Sequence, residues 1–283
     1  MPPNPPKTAM PPWKASFLQT CLEHEILRFG SFTLKSGRVS PYFFNAGLFH
    51  RADLLQSISL AYAETIRGFE PQGEKEGDDD VQHVKERDDG LGNEGEGVDK
   101  SGLKFDILFG PAYKGIPLAT STLSTLATLS PTGYGHVSYA FNRKEAKAHG
   151  EGGSIVGCPM HGKRVVIVDD VITAGTAIRE AVEIIQREGG ELVGIVVALD
   201  RMERIVVGAD ADGQRSGDVE SEGIGGKGKA ASAIGLLREQ YNIPVLAVLT
   251  LNDIIKGLDG KDSDEDRRHM QELQEYRRRF GAD

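Results

Sequence analysis

One loop of the sequence has residue types that suit the binding of a phosphate group. Residues Val165–Thr176 read Val-Val-Ile-Val-Asp-Asp-Val-Ile-Thr-Ala-Gly-Thr, which predicts a buried strand, a turn and the start of a helix. At the carboxyl end of a parallel strand, loop N–H groups and the positive pole of the next helix converge on one spot. Gly175 permits close approach of the backbone, and Thr173 and Thr176 can donate their hydroxyls to phosphate oxygens.

Two adjacent acids, Asp169 and Asp170, stand at the end of this predicted strand. Carboxylates can accept hydrogen bonds from sugar hydroxyls or take part in a magnesium shell. The alternative is a strand-to-helix turn in which the acids and threonines only cap the helix. The run is not a Walker loop, because no lysine follows the glycine, and it is not G-x-G-x-x-G. Paired acids two residues before T-A-G-T favour the binding site over the simple turn.

The same run resembles the phosphoribosyl pyrophosphate signature of the type I phosphoribosyltransferases. Leu34–Asn45 (L-K-S-G-R-V-S-P-Y-F-F-N) resembles the N-terminal motif of the orotate phosphoribosyltransferases. Gly110–Gly115 (G-P-A-Y-K-G) is similar to their pyrophosphate loop, and Asn142–Gly150 (N-R-K-E-A-K-A-H-G) to their mobile catalytic loop. With Leu199–Arg201, these motifs cover most of the chain outside two insertions. The resemblance implies transfer of ribose 5-phosphate from phosphoribosyl pyrophosphate to orotate, giving orotidine 5-phosphate and pyrophosphate in UMP biosynthesis.

The resemblance also assigns residues to each substrate. Those expected to bind phosphoribosyl pyrophosphate are Lys35, Tyr113, Lys114, Arg143, Lys144, Lys147, His149, Asp169, Asp170, Val171, Ile172, Thr173, Ala174, Gly175, Thr176 and Ala177. Those expected to bind orotate are Phe43, Phe44, Thr173 and Arg201. From the residues alone, Phe43 and Phe44 suit a core as well as a flat pyrimidine. Arg201 suits a carboxylate, which it can bind bidentately, and equally an ion pair with Glu203.

The residues expected to take part in catalysis are Lys147, His149, Arg143, Asp169 and Asp170. The basic run could also be a solvated surface loop, but departing pyrophosphate needs dense positive charge. In the family this loop closes over the site and comes at least partly from the neighbouring subunit, which implies a homodimer with shared sites. Mg²⁺ is the implied cofactor, held mainly by pyrophosphate and ribose and reaching Asp169 or Asp170 through water at most. No residue is expected to bind the metal directly.

Two other functions share parts of this pattern. A purine phosphoribosyltransferase would have the T-A-G-T loop but lack the K-S-G-R-x-S-P-Y-F-F segment. A non-catalytic regulator on the same fold would lack the loop lysines. Both features are present in this chain, so the sequence disfavours both alternatives.

The elements that must position these residues follow from the apolar pattern. Short apolar runs predict strands at Phe105–Phe109, Val137–Phe141, Val165–Val168, Leu192–Leu199 and Val245–Leu249. Continuous apolar strands separated by helices indicate an α/β fold with a doubly wound, mostly parallel central sheet of about five strands flanked by helices.

The ends of the chain are predicted to lie outside this central sheet. A helix carrying Phe17, Leu18, Leu22 and Ile26 is predicted to stop at Gly30. Asp264–Arg279 is predicted to be a charged helix. Residues 1–50 and the C-terminal region would form a small hood subdomain over the base.

Two Gly-rich insertions interrupt an otherwise single domain spanning residues 1–283. Residues 70–103 hold twelve acidic and four basic residues, so this segment contributes −8 of the net charge of −9. With few large apolar groups, the segment is predicted to be disordered. Residues 208–232 form the second insertion.

The bulk composition sets limits on location and partners. No apolar run approaches the roughly 18 residues that span a bilayer, and the proline-rich N-terminus resembles no targeting signal. The two cysteines, Cys21 and Cys158, lie far apart, which disfavours a disulfide or a zinc site. No long basic stripe suggests nucleic-acid binding. We therefore expect a cytoplasmic enzyme with neither membrane nor nucleic-acid partners.

Overall fold

The computed structural model describes residues 10–34, 36–70, 102–145, 154–172, 175–204, 232–259 and 263–282. Nearly all of both predicted insertions lies outside these residues. So do five of the candidate site residues, namely Lys35, Lys147, His149, Thr173 and Ala174.

The described strands are β1 (Leu27–Thr33), β2 (Val39–Phe44), β3 (Ile107–Phe109), β4 (Ser138–Asn142), β5 (Ile155–Gly157), β6 (Arg164–Val171), β7 (Glu191–Asp200) and β8 (Val245–Thr250). The described helices are α1 (Pro12–Glu23), α2 (Ala52–Arg67), α3 (Gly115–Leu129), α4 (Pro131–Tyr134), α5 (Thr176–Arg187), α6 (Ala233–Tyr241), α7 (Leu251–Leu258) and α8 (Asp264–Phe280).

Six strands form the central sheet, in the order β5-β4-β3-β6-β7-β8. Every pairing in it is parallel except that of β5 with β4. All five predicted strands are confirmed, and the structure adds a sixth, β5, that the sequence did not predict. Strand β5 pairs antiparallel with β4 and forms one edge of the sheet.

Helices cover both faces of this sheet. Along β6, Val166 and Val168 pack into the core shared with α2 and α3, whereas Val165 and Ile167 pack into the core shared with α5 and α6. Successive strand residues point to opposite faces, so a strand buried on both sides must be apolar at every position. The predicted doubly wound α/β architecture is confirmed.

The N-terminal helix ends earlier than predicted. Helix α1 stops at Glu23, Glu25 adopts a positive φ of 54°, and Leu27–Thr33 is strand β1. Ile26 is fully buried, but from the turn between helix and strand. Gly30, predicted as the helix terminator, instead has a φ of 149° next to an irregularity in the pairing of β1 with β2. The spacing of Phe17, Leu18, Leu22 and Ile26 resembles that of a single helix because α1 and the turn before β1 both place residues in the same core.

The β1–β2 hairpin is a separate two-stranded sheet that contacts the C-terminal helix α8. Alternate residues of β2, Ser40, Tyr42 and Phe44, are buried. Helix α8 confirms the predicted charged helix, and the chain after it forms an isolated bridge between Gly281 and Glu203. Whether this region acts as a hood over a base remains a prediction.

The described residues that flank each insertion are joined to one another. Gly102 donates its N–H to Phe69 O at 2.9 Å, and Leu103 donates to Ile66 O at 3.0 Å. Arg204 and Ser232 form an isolated antiparallel bridge. Each insertion therefore leaves and re-enters the domain at a single point. Among the described residues, no helix is long and apolar enough to cross a membrane.

Candidate active site

The candidate residues converge because neighbouring parallel strands end at one edge of the sheet. The Gly110–Gly115 loop follows β3, Asp169 and Asp170 lie near the end of β6, and Arg201 follows β7. Since β3, β6 and β7 are adjacent and parallel, their carboxyl ends bring three distant stretches of sequence together. This edge is where open α/β sheets bind ligands.

The predicted phosphate loop joins β6 to α5. Val171 still pairs with Leu199 of β7, and Ile172 is buried at 8% exposure, so these two side chains anchor the start of the loop. Gly175 precedes the first turn of α5 with a left-handed φ of 76°. A residue with a side chain would be strained there, which explains the glycine. The first helical residues, Thr176 and Ala177, therefore present the N-terminus of α5 at the sheet edge.

The two acids differ in their surroundings. Asp169 Oδ1 accepts the N–H of Asp170 at 2.9 Å, and Asp170 Oδ1 accepts the N–H of Val171 at 2.8 Å. Burial, together with the charge of Asp170, raises the pKa of Asp169 to about 6. The buried hydroxyl of Tyr62, on helix α2, donates a hydrogen bond to the carbonyl of Asp169 at 2.6 Å. The backbone at this pair of acids is therefore held by helix α2.

Lys114 bridges two of the converging loops. Its Nζ lies 2.8 Å from Asp170 Oδ2, and this hydrogen bond raises the pKa of Lys114. The loop that carries it is tightly closed, since a Cβ on Gly110 would overlap the backbone of Gly115. The neighbouring Tyr113 has 67% of its surface exposed. The Gly110–Gly115 loop therefore presents a charged ammonium beside the acids and an aromatic ring toward solvent.

The predicted catalytic loop leaves the sheet through an antiparallel hairpin. Asn142 pairs with Ile155, and Arg143 donates its N–H to Ser154 O at 2.7 Å. Lys144 Nζ lies 5.3 Å from the centroid of the Tyr113 ring, within the range of a cation–π contact. The start of this loop therefore lies beside the Gly110–Gly115 loop.

The two loops are also joined by a hydrogen bond between a main-chain N–H and a side chain. The Asn142 side chain accepts the N–H of Ala112 at 2.9 Å. Lys147 and His149 follow in the part of the loop outside the described residues.

Arg201 is largely buried and held on several sides. Its Nε donates to Glu203 Oε1 at 2.7 Å, and its Nη2 donates to Ser40 Oγ at 2.9 Å. The guanidinium lies over the Tyr42 ring, 4.4 Å from the centroid. The ion pair with Glu203 that the sequence left open is therefore present, and it is not a surface pair. The N-terminal motif supplies two of the contacts to Arg201.

The two candidate aromatic residues of β2 face opposite ways. Phe43 is half-buried and stacks on Phe32 with ring centroids 5.5 Å apart. Phe44 is 7% exposed and packs in the core against Phe49. Consecutive strand residues alternate between faces. Only main-chain atoms of Phe44 are therefore available to a ligand that contacts the Phe43 side chain.

Five residues that help to hold the candidate site in place were not among the predicted site residues, although Glu203 was considered as an ion-pair partner of Arg201. They are Ser40, Tyr62, Asn142, Glu203 and Tyr276. Ser40 and Asn142 lie within motifs that the sequence analysis quoted, and the spacing of Ser40 from Tyr42 places both on one face of a strand. Tyr62 and Tyr276 act from distant elements, which a single sequence does not locate.

The site offers few ligands for a metal ion. Among the described residues, no group of three or more His, Cys, Asp or Glu side chains could hold one. Asp169 and Asp170 supply carboxylate oxygens, and Asp169 Oδ2 makes no hydrogen bond within the described part of the chain. Mg²⁺ prefers such hard oxygen donors and often takes most of its shell from water and substrate phosphates. These residues fit a magnesium ion that the substrate carries.

Comparison with known proteins agrees with this geometry. A family model described as a phosphoribosyl transferase domain matches residues 95–210. The orotate phosphoribosyltransferase of Neurospora crassa is 49% identical over 274 residues, covering 97% of this chain and 98% of its own. That of Kluyveromyces lactis is 43% identical over 275 residues, covering 97% and 98%.

Solved structures give the same result. The orotate phosphoribosyltransferase of Francisella tularensis superposes with a TM-score of 0.65 at 32% identity, covering 94% of this chain and 99% of that one. The UMP synthase of Leishmania donovani, at a TM-score of 0.58 and 20% identity, covers 94% of this chain and 42% of that one, which shows a common fold. At this identity and coverage, the chain belongs to the orotate phosphoribosyltransferase family.

Proposed function

We propose that this chain is an enzyme that transfers ribose 5-phosphate from phosphoribosyl pyrophosphate to orotate, releasing pyrophosphate. The observation that carries the proposal is the convergence of Lys114, the Asp169–Asp170 pair and Arg201 at the carboxyl ends of three adjacent parallel strands. These groups match, in order, a pyrophosphate, a ribose and a carboxylate-bearing base. Membership of the family supports the same assignment.

The phosphate loop and the acids would hold the ribose 5-phosphate unit. The N-terminus of α5, with Gly175 and Thr176, suits the 5-phosphate because N–H groups and the helix dipole favour an anion there. Asp169 and Asp170 would accept hydrogen bonds from the ribose hydroxyls and favour positive charge on the ring. Thr173 would add a hydroxyl between the phosphate and the base.

Pyrophosphate departure would depend on the basic residues. The transition state of such a transfer resembles an oxocarbenium ion, so the leaving group gains negative charge as the bond to the anomeric carbon breaks. Lys114, Arg143, Lys144 and Lys147 would stabilise that charge. Bound Mg²⁺, reaching Asp169 or Asp170 through water at most, would supply charge neutralisation for the pyrophosphate. Closure of the loop that follows Asn142 would exclude water from the ribose.

The base would be held between the N-terminal motif and Arg201. Phe43 offers an aromatic ring, and Arg201 offers N–H donors for the orotate carboxylate. Lys35 and His149 complete the proposed contacts to phosphoribosyl pyrophosphate. As in the sequence analysis, we place the protein in the cytoplasm as a homodimer whose loops complete the partner's sites.

The test is a spectrophotometric assay of orotate consumption in the presence of phosphoribosyl pyrophosphate. We expect turnover with MgCl₂ and loss of turnover when the metal is chelated. Adenine, guanine and hypoxanthine are the matched alternative bases, and we expect no comparable turnover with them. Faster turnover of any purine would reject the proposal in favour of a purine phosphoribosyltransferase.

A further inference from the structure

Glu203 connects Arg201 to two other parts of the chain. Its Oε1 accepts hydrogen bonds from Arg201 Nε at 2.7 Å and from the Tyr276 hydroxyl at 2.9 Å. Its Oε2 lies 3.6 Å from Arg38 Nη1. The Glu203 side chain is only 16% exposed, so water replaces little of this bonding. A carboxylate held by three partners fixes the guanidinium on its Nε side.

The other contacts leave one edge of Arg201 available. Ser40 Oγ accepts one Nη2 hydrogen, and the Tyr42 ring covers one face of the guanidinium. The hydrogen bonds to Glu203 and Ser40 use Nε and one hydrogen of Nη2, so they leave Nη1 and the second hydrogen of Nη2 unused. The side chain retains 10% exposure. These two donors form the end of the guanidinium that can bind a carboxylate through two parallel hydrogen bonds.

Charge favours an anionic ligand at that edge. Glu203 contacts two arginines, Arg38 and Arg201, and balances only one of them. Both arginines are largely buried, where an unbalanced charge is costly. A ligand carboxylate at the free edge of Arg201 would supply the missing charge.

The position of Glu203 depends on the C-terminal helix. Tyr276 belongs to α8, and beyond that helix Ala282 donates its N–H to Met202 O at 2.8 Å. Arg204 donates its N–H to Phe280 O, also at 2.8 Å. The residues immediately before and after Glu203 are therefore both hydrogen-bonded to the residues at and after the end of α8.

We infer that Glu203 is a positioning residue for Arg201 and that Tyr276 completes this support, so the C-terminal helix sets the affinity for a carboxylate-bearing base. The inference rests on the proposed function, since it takes the orotate carboxylate as the ligand of Arg201. Neither residue contacts the base. Their effect is to keep the two free donors of the guanidinium aimed in one direction, which lowers the entropy cost of binding.

The experiment compares two nucleotides that differ by one carboxylate. Binding of orotidine 5-phosphate and of uridine 5-phosphate is measured by titration calorimetry on the full chain. The variants are Glu203→Gln and Tyr276→Phe, and Glu275→Gln is the control, because Glu275 lies next to Tyr276 in an exposed ion pair with Arg278. We expect Glu203→Gln to weaken binding of orotidine 5-phosphate about tenfold and Tyr276→Phe about threefold. Binding of uridine 5-phosphate stays within about twofold throughout, and the control matches wild type.

The outcomes separate the inference from the proposed function. An equal loss for both nucleotides would indicate a purely structural role and overturn the inference, as would unchanged or tighter binding of orotidine 5-phosphate. If Glu203→Gln does not fold, Tyr276→Phe decides, because it removes a single hydroxyl. If wild type neither prefers orotidine 5-phosphate nor consumes orotate, the proposed function fails and the inference with it. Preserved preference in both variants of an active enzyme overturns the inference alone.

Discussion

The ammonium of Lys114 lies 2.8 Å from the carboxylate of Asp170, although 56 positions separate them in sequence. The two residues follow neighbouring strands, β3 and β6, which end at the same edge of the sheet. In the ligand-free protein each group neutralises the other. A ligand with a pyrophosphate and ribose hydroxyls offers both groups new partners, so its binding exchanges one ion pair for two sets of charge-assisted hydrogen bonds.

Replacing the lysine tests this exchange. We expect Lys114→Gln to raise the KM for phosphoribosyl pyrophosphate roughly tenfold or more, because a charge-assisted contact to phosphate is lost. The KM for orotate changes much less. Steady-state kinetics with each substrate varied in turn make the measurement. Lys163→Gln is the matched control, since Lys163 lies at the opposite end of β6. A similar effect in both variants would indicate long-range charge rather than contact.

The buried acid Asp169 is expected to lower stability at neutral pH. Its pKa is raised to about 6 in the folded protein, mainly by burial, so folding favours its protonated form. The group therefore stabilises the fold most below its unfolded pKa of about 3.9, and this contribution is lost as the pH rises through about 6. Asp169→Asn has no charge to bury. We expect it to be more stable than wild type at pH 7.5, by up to about 3 kcal/mol, and equal to it near pH 4.

Thermal or urea unfolding of the ligand-free protein between pH 4 and 8 measures this difference. The asparagine oxygen can still accept the N–H of Asp170, so the local hydrogen bond is retained. Asp106→Asn is an instructive control, because hydrogen bonds from Arg164 lower the pKa of Asp106 to about 2. It is expected to shift stability in the opposite direction at neutral pH. A pH-independent difference for Asp169→Asn would contradict the assignment of its raised pKa.

The features that the sequence predicts correctly are carried by consecutive residues. The run from Val165 to Thr176 carries its strand, turn and helix start in consecutive residues, and the structure has β6, a left-handed Gly175 and α5 in that order. The structure brings distant loops to this run because neighbouring parallel strands end at a common edge. Such features need no knowledge of which side chain packs against which.

What the sequence could not supply was the identity of long-range partners. Arg201 meets Ser40 across 161 positions and, through Glu203, the hydroxyl of Tyr276. Nothing in a single sequence pairs these residues. Likewise, Phe43 and Phe44 are adjacent and aromatic. The register of β2 alone determines which of the two side chains enters the core. A shift of one residue would exchange their faces.

Lys147 is expected to act mainly on the chemical step. Its charge matters most as pyrophosphate departs, so Lys147→Ala loses an interaction made in the transition state. We expect turnover to fall roughly a hundredfold while the KM values change only a few-fold. Single-turnover and steady-state kinetics give both quantities. Lys256→Ala, on helix α7, is the control. Unchanged kinetics in both variants would mean that the basic loop is a solvated surface loop.

The proposed sharing of loops between subunits can be tested with two inactive variants. In a heterodimer of Lys147→Ala and Asp170→Asn subunits, a loop donated across the interface leaves one site intact and one doubly altered. Random mixing of equal amounts should then restore about a quarter of the wild-type activity, since half of the dimers are mixed and each has one intact site. Activity is measured on dimers whose composition is verified by mass spectrometry. Absence of recovery would show that each chain supplies its own loop.

The acidic insertion is expected to be dispensable for folding. Because Gly102 donates to Phe69 O at 2.9 Å, the ends of the segment already meet, and a short linker can join them. Each halving of a flexible loop recovers only about 0.6 kcal/mol of closure entropy. Replacing residues 72–100 with a short Gly/Ser linker should therefore leave the melting temperature unchanged or slightly raised.

The same deletion also tests whether the insertion regulates the site. We expect turnover to change less than about twofold at physiological salt, where charges more than about 8 Å apart are largely screened. If instead the acids compete with phosphates for Arg143, Lys144 and Lys147, deletion lowers the KM for phosphoribosyl pyrophosphate, most strongly at low salt. A Gly/Ser replacement of the original length is the control that separates charge from length. A several-fold fall in KM in both variants, abolished by salt, would contradict our expectation and assign the segment an inhibitory role, because only competition between charges has that dependence on ionic strength.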